Sequence, residues 1–237
     1  MNRLEAAGNL SENKNPVKQF AIKQAKQILQ DDGVKDPGMP VVTSVEKQTP
    51  KTPEAPVEIK RFSAEQREAL EKQGFVIYGL TGQSIKTLRD AGRKFWSTWH
   101  QDPQFADFEA LGSMHSEVAI NPNKLFLPNS NNKTLKQQED MVEKFSQKLG
   151  KKVQGVKAVI GQASDYEELA FAHLDATKDY LFGAKDNYDY ARTKTSTSGS
   201  HVADVGDFRA DSGLYVGRWY ADVGDDLVHA APLVVPV

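Results

Sequence analysis

Apolar residues recur at helical spacing in five stretches of the first 180 positions. Val17, Ala21, Ala25, Ile28 and Leu29 share one face opposite Lys and Gln, with Gly33 placed as a C-cap. Ser63 with Gln66 has the spacing of a capping box and opens a helix to about Lys72, which Gly74 ends. Phe75-Val-Ile-Tyr-Gly-Leu then reads as a strand. A helix starting at Thr81 or Gly82 carries Ile85, Leu88, Gly92 and Phe95 on one face, and Phe95, Trp96 and Trp99 supply aromatic cargo for a core. Glu117-Val-Ala-Ile-Asn is a strand and Asn129-Ser-Asn-Asn a turn. Leu135, Gln138, Val142, Phe145 and Leu149 define another amphipathic helix, closed by Gly150. After the strand Val156-Lys-Ala-Val-Ile, Ser164-Asp-Tyr-Glu167 is a capping box for a last helix with Leu169, Ala170 and Leu174 turned inward. Beyond Asp179 no helical period is left, and short β segments and turns continue to Leu233-Val-Val. Helices come early and strands cluster late, which predicts an α+β class.

Three regions follow. Residues 1–35 form an amphipathic helix region. Residues 36–60, with Pro37, Pro40, Pro50, Pro53 and Pro56 among Lys, Thr and Glu, have the composition of an extended linker. Residues 61–237 form the main domain.

Composition narrows the function. With 39% hydrophobic and 26% charged residues the chain reads as a soluble globular protein, and a net charge of −2 provides no basic surface for nucleic acid. No stretch is long and apolar enough to span a membrane. No apolar h-region follows Met1, so a cytoplasmic location is expected, with surface display left open. The absence of Cys excludes disulfides, thiolate metal sites and a cysteine nucleophile.

The composition changes sharply at the C-terminus. All 22 Lys lie at or before Lys194 and all 14 Glu at or before Glu168. The 37 residues from His201 to Val237 contain no Lys, Glu, Gln or Met, and hold six Asp against two Arg. Aromatic, tiny and acidic residues replace them, the types of a recognition surface. An ordinary Gly-rich strand region is the plainer alternative.

Enzyme signatures are missing. There is no Gly-x-Gly-x-x-Gly, no phosphate loop and no Gly-x-Ser-x-Gly elbow; Gly150-Lys-Lys152 only closes a helix. His100, His115, His173, His201 and His229 show no metal-ligand spacing. Asp222, Asp225 and Asp226 are of a type that holds a hard cation, but a solvated acidic loop is the better account of them. Arg192-Thr-Lys-Thr-Ser-Thr-Ser-Gly-Ser200 has anion-gripping residues and the polarity of a surface loop or edge strand. No cofactor and no metal are expected, and the chain is not expected to be an enzyme.

Three blocks carry a resemblance. The first is Gly79-Leu-Thr-Gly-Gln-Ser-Ile-Lys-Thr-Leu-Arg-Asp-Ala-Gly92 with Phe95-Trp96. The second is Asn129-Ser-Asn-Asn-Lys-Thr-Leu135 with Ala163-Ser-Asp-Tyr-Glu-Glu-Leu-Ala170. The third is Arg192-Thr-Lys-Thr195, Gly213-Leu-Tyr-Val-Gly-Arg-Trp-Tyr-Ala-Asp222 and Pro232-Leu-Val-Val-Pro236. From Phe62 onward the chain resembles the variable proteins of diversity-generating retroelements of candidate-phyla bacteria. In that family a reverse transcriptase mutates the adenines of a template repeat, and Asn codons become any codon ending in C or T. Such codons never encode Lys, Glu, Gln, Met or Trp. The resemblance implies a C-type-lectin-like domain of helices on a twisted, mostly antiparallel sheet, with a hypervariable segment at about 208–231. Reverting the suspect positions yields Gly-Leu-Asn-Val-Asn-Asn-Trp-Asn-Asn-Asp as the template reading. It implies a ligand-binding face of Tyr215, Gly217, Arg218, Tyr220, Ala221, Val223, Asp225, Val228 and His229, on a scaffold of Leu214, Val216, Trp219 and Leu227. The calcium and sugar motifs of true lectins are not matched: Asn121-Pro-Asn123 lacks the acidic residue, and Trp219-Tyr-Ala-Asp222 is not Trp-Asn-Asp.

The expected function is therefore a module that binds a protein or surface ligand. The alternatives are an enzyme of a lectin-like fold, related to formylglycine-generating enzymes, and a non-catalytic structural or adaptor protein. Ligand identity and oligomeric state are open from sequence.

Overall fold

The computed structural model describes residues 58–182 and 189–237. The expected N-terminal helix and most of the linker lie outside the described residues. At the linker's described end, Lys60 bridges to Ser116.

Local signals place the helices of the described residues. α1 (Ala64–Glu71) starts at the Ser63–Gln66 capping box, each partner bonded to the other's backbone N–H. β1 (Val76–Thr81) follows. α2 (Ile85–Asp90) is shorter than expected at both ends. Thr81 N and Gln83 N donate to the Glu168 carboxylate, so these amides are engaged outside any helix and Ser84 becomes the cap. At the far end Gly92 takes φ +85°, and Phe95 leaves the helix to bridge Leu214. α3 (Ala106–Ala110) and β2 (His115–Ile120) come next. α4 (Leu135–Gly150) is capped by a Thr134–Gln137 box. β3 (Val156–Val159) precedes α5 (Ala163–Thr177). That last helix begins earlier than expected: Asp165 accepts from Gln162 N at 2.7 Å, and Ser164 lies inside the helix instead of capping it.

The strands β4 (Tyr190–Ser196), β5 (His201–Arg209), β6 (Gly213–Tyr220), β7 (Val228–His229) and β8 (Leu233–Pro236) complete an α+β fold. The strands form two four-stranded sheets where one was expected: β1-β2-β8-β3, wholly antiparallel, and β6-β5-β4-β7, with only β4–β7 parallel. After β7 the chain passes through Ala230-Ala-Pro232 and enters the first sheet between β2 and β3, so β8 does not belong to the sheet that holds β6.

α5 occupies the space between the sheets. Tyr166, Leu169 and Ala170 pack with Tyr78, Leu80, Val118 and Ile120 from the first sheet and with Ala191, Ala203, Val205, Leu214 and Val216 from the second. On the first sheet's other face, Leu70 of α1 and Val142 and Leu149 of α4 pack with Ala119, Ala158 and Val234. The first sheet is thus covered on both faces, which explains the uninterrupted burial of β8.

α5 also carries buried acids. Asp165 accepts from Met114 N at 2.7 Å, and Glu168 accepts from Thr81 N, Thr81 Oγ1, Gln83 N and Ser113 Oγ. Tyr166 donates its hydroxyl to Ala231 O at 2.6 Å. These bonds fix the loops that frame the second sheet.

Candidate functional site on the outer face of the second sheet

Side chains alternate between the faces of a strand, and residues opposite each other in the ladder share a face. In β6, Leu214 and Val216 point to the core with no exposed surface, while Tyr215, Gly217 and Trp219 take the other face. The register then specifies what surrounds them. One row across the sheet is Tyr190–Gly206–Tyr215; the next is Arg192–Asp204–Gly217; the third pairs Val202 with Trp219. Val228 stands beside Tyr190 in β7.

Two glycines shape this surface. The Tyr190 ring lies over Gly206 and the Tyr215 ring leans on Gly217, so both aromatic side chains rest on the sheet. The two tyrosine rings meet edge to face, 5.7 Å apart, and Trp96 stacks on Tyr215 from the other side at 4.8 Å. The result is an aromatic row, Trp96–Tyr215–Tyr190, beside a floor that drops at Gly217. There the Asp204 carboxyl occupies the space that a Cβ on residue 217 would need. The cavity measures about 260 Å³ and is lined by Tyr190, Asp204, Tyr215, Gly217, Arg218, Trp219, Asp225, Leu227 and Val228.

Arg192 and Asp204 set the electrostatics. Arg192 is fully buried and lies in an interior strand, not in the expected surface loop or edge. Its Nη1 donates to Tyr220 O at 2.5 Å, and its Nη2 to Val223 O at 3.0 Å and Lys133 O at 3.3 Å, while Nε has no partner among the described residues. Asp204 is 6% exposed, and no side chain among the described residues hydrogen-bonds to it. Burial pushes its carboxyl up to about 7; the Arg192 charge opposes the shift, Asp225 adds to it and the Gly217 N–H opposes it. Burial likewise raises the hydroxyls of Tyr190 and Tyr215, the nearby aspartates adding to the effect, so both phenols stay neutral.

The segment 221–227 that covers one end of the cavity is held through its main chain. Asn132 N donates to Asp225 O at 2.7 Å, Leu135 N to Ala221 O at 2.7 Å, and Asn131 Nδ2 to Asp226 O at 3.2 Å. Ala221 N donates to Ser200 O and Tyr190 N to Leu227 O, both at 2.8 Å. At Gly224 an added Cβ would stand 2.6 Å from the backbone of Asn132.

Comparison with protein-family models, curated proteins and solved structures finds no match to this chain. The site therefore rests on its own geometry.

Of the expected face residues, Tyr215, Gly217, Arg218, Asp225 and Val228 are brought to the cavity. Gly217 and Val228 are buried there. The Arg218 guanidinium is laid over Trp99 and Phe105, 5.2 and 5.6 Å from their ring centres. Tyr220 lies at the far end of β6, stacked on His201 at 4.0 Å, and Ala221 and Val223 belong to the covering segment. His229 is not part of the cavity; its ring meets Phe126 at 5.0 Å, and Asp189 lies 3.2 Å away. Of the expected scaffold, Leu214 and Val216 are buried. Trp219 lines the cavity with Nε1 buried and unpartnered, and Leu227 is 39% exposed while its neighbour Val228 is 4% exposed. The expected sides of Leu227 and Val228 are exchanged because the two-residue strand β7 takes its register from the parallel pairing of Val228 with Tyr190. Trp96, expected in the core, is 54% exposed. Segment 94–99 runs along the edge of β6, where Trp96 N donates to Leu214 O and Trp99 Nε1 to Val216 O, and this turns the Trp96 ring outward. The Asp225 carboxylate accepts from Leu227 N at 2.8 Å, and no group of three metal-ligating side chains converges among the described residues.

Tyr190 and Asp204 are not singled out by the sequence pattern, and Trp96 is assigned by it to the core. One signal does point to Asp204. The tetrapeptide Asp-Val-Gly-Asp occurs at 204–207 and again at 222–225, and one Asp from each copy, Asp204 and Asp225, reaches the cavity. No helix among the described residues is long and apolar enough to cross a membrane.

Proposed function

We propose that this chain is a non-catalytic binding module of C-type-lectin-like fold. Its ligand face is the outer surface of the β6-β5-β4-β7 sheet together with segment 221–227, diversified by retroelement-directed adenine mutagenesis. The observation that carries the reading is how segment 221–227 is held. Arg192, Asn131, Asn132 and Leu135 grip the carbonyl oxygens of residues 220, 221, 223, 225 and 226. A carbonyl is the same whatever side chain follows it, so the backbone keeps its path when side chains change. Ala221 and Val223 reach solvent from this segment and Tyr220 from the end of β6 just before it, while the apolar anchors Leu214 and Val216 are wholly buried. A rigid scaffold presenting exchangeable side chains is what a diversified binder requires.

The test is made on DNA. The gene, its flanks and the same locus from many cells are sequenced. A near-identical repeat with AAC or AAT opposite the codons of the face, next to a reverse transcriptase, is the expected result, with those codons differing between cells. Invariant codons and no repeat overturn the diversification reading.

A further inference from the structure

We propose that the cavity beneath the aromatic row binds an organic cation, an ammonium or guanidinium group on a short aliphatic stem, with Asp204 as its counter-ion and Tyr190, Tyr215 and Trp219 as its walls. The inference rests on the binding-module reading and gives that site a ligand class.

Asp204 is the first observation. A carboxyl this deeply buried is costly unless donors or a cation compensate it. Arg192, the nearest cation, has turned both Nη atoms to the carbonyls of Lys133, Tyr220 and Val223 and makes no hydrogen bond to Asp204. What remains is the Arg192 charge acting through space and the Gly217 N–H, with the carboxyl facing the cavity. The carboxyl can take this position because residue 217 has no side chain.

The walls are the second observation. Tyr190 and Tyr215 stand in one row of the sheet and Trp219 two rows away, with Asp204 in the row between them. Aromatic faces attract cations through their quadrupole, and do so more strongly where water is excluded. Both phenols are held neutral, so they act as π faces and hydrogen-bond donors.

The charges fit this class. Among the lining residues Asp204 and Asp225 are acidic, and the one basic residue, Arg218, is laid over Trp99 and Phe105. An anion would meet both carboxylates. A volume of about 260 Å³ admits a side-chain-sized cation and falls just below the usual range for drug-sized ligands, about 300–1,000 Å³. The cation can be a free amine or a Lys or Arg side chain of another protein; the chemistry is shared.

The experiment is an amide and indole chemical-shift titration of the full chain. The probes are n-butylammonium chloride, n-butylguanidinium chloride, 1-pentanol as a neutral amphiphile of intermediate length, methyl glucoside, and the blocked tripeptide Gly-Lys-Gly. The cations are expected to shift the Gly217 amide and the Trp219 indole N–H, and to saturate at concentrations at least tenfold below 1-pentanol. Asp204→Asn, of the same shape, abolishes that preference, and Tyr215→Leu weakens cation binding about threefold. Tighter binding of the tripeptide assigns the cation to a protein partner, and tighter binding of butylammonium assigns it to a small molecule; both outcomes support the class. The proposal is overturned if 1-pentanol or methyl glucoside matches the cations, if Asp204→Asn retains the preference, or if no probe shifts these signals. A neutral probe that binds here would remove the cation class and leave the binding-module reading standing, since that reading is decided by the gene sequence.

Discussion

Arg192 Nη2 lies 3.0 Å from Val223 O, so a fully buried guanidinium in an interior strand holds the main chain of the segment that covers the cavity. The planar fork also reaches Tyr220 O and Lys133 O, a geometry that an ammonium cannot reproduce. Arg192→Lys is therefore expected to destabilise the domain by about 2–4 kcal/mol, since three carbonyls lose donors and a buried charge is left poorly placed. Urea denaturation measures the loss. Hydrogen exchange tells where it falls, with the amides of 221–227 losing protection before those of α5. Uniform loss of protection across both regions would contradict the local role.

Gly217 is where the diversified reading and the packing conflict. A Cβ there would run into the Asp204 carboxyl and press on the Tyr215 ring. Gly217→Ala must move one or both, and we expect a cost of about 1–3 kcal/mol together with loss of the cavity. Ala221→Ser, in the covering segment, is expected to change stability by less than about 0.5 kcal/mol. Equal, small effects at both positions would show that Asp204 yields easily, and Gly217 would then be free to vary like its neighbours.

These two cases also mark how much was legible in the sequence. Signals that act over three or four residues were readable: the Ser63–Gln66 box, the amphipathic face of α4, and the alternation that buries Leu214 and Val216. Features set by distant partners were not. α2 is short because Glu168, more than eighty residues on, takes the amides of Thr81 and Gln83. Trp96 is turned outward by pairing of its own backbone with Leu214, and Val228 is buried by pairing with Tyr190. The hydroxyl-rich run after Arg192 has the composition of a surface loop, yet β5 pairs along one side of it, Lys194 N donates to Gly161 O on the other, and Thr193 and Thr195 are buried. Composition marked the C-terminal segment as unusual; only the ladder register brings Asp204 beneath Tyr215.

Two buried acids make stability depend on pH in a definite direction. Burial raises the Asp204 carboxyl to about 7. Burial, reinforced by Asp165 and Glu109, raises that of Glu167 to about 8. Between the ordinary carboxylate range near 4 and these values the folded state holds protons that the unfolded chain has released. Stability therefore falls as pH rises through this window. The domain should be more stable at pH 5 than at pH 8. Asp204→Asn and Glu167→Gln should each flatten the profile, by on the order of 3 kcal/mol, since each pH unit across which a group stays protonated only in the folded state is worth about 1.4 kcal/mol. Urea midpoints between pH 5 and pH 8 read the slope directly. Stability that rises with pH across this range would show that these carboxyls are ionised in the folded protein and compensated.

The buried positions of β6 and the exposed positions from its last residue through segment 221–227 should differ sharply in tolerance if that exposed surface is exchangeable. Leu214 and Val216 are fully buried against α5 and the inner faces of the sheets. Leu214→Ala should cost about 2–5 kcal/mol, and Val216→Ala somewhat less, because each leaves a cavity in a close-packed core. Tyr220, Val223 and Leu227 are 43%, 44% and 39% exposed, and the backbone beneath them is held through carbonyls. Replacing any of these three by Ser or Asn should move stability by less than about 1 kcal/mol. A triple replacement should be close to the sum of the singles, as for sites that act independently. Thermal melts of the singles and the triple decide the matter. Losses above about 2 kcal/mol at Tyr220 or Val223 would mean that these side chains, and not the main chain, hold the segment, and an exchangeable face could not be built on it.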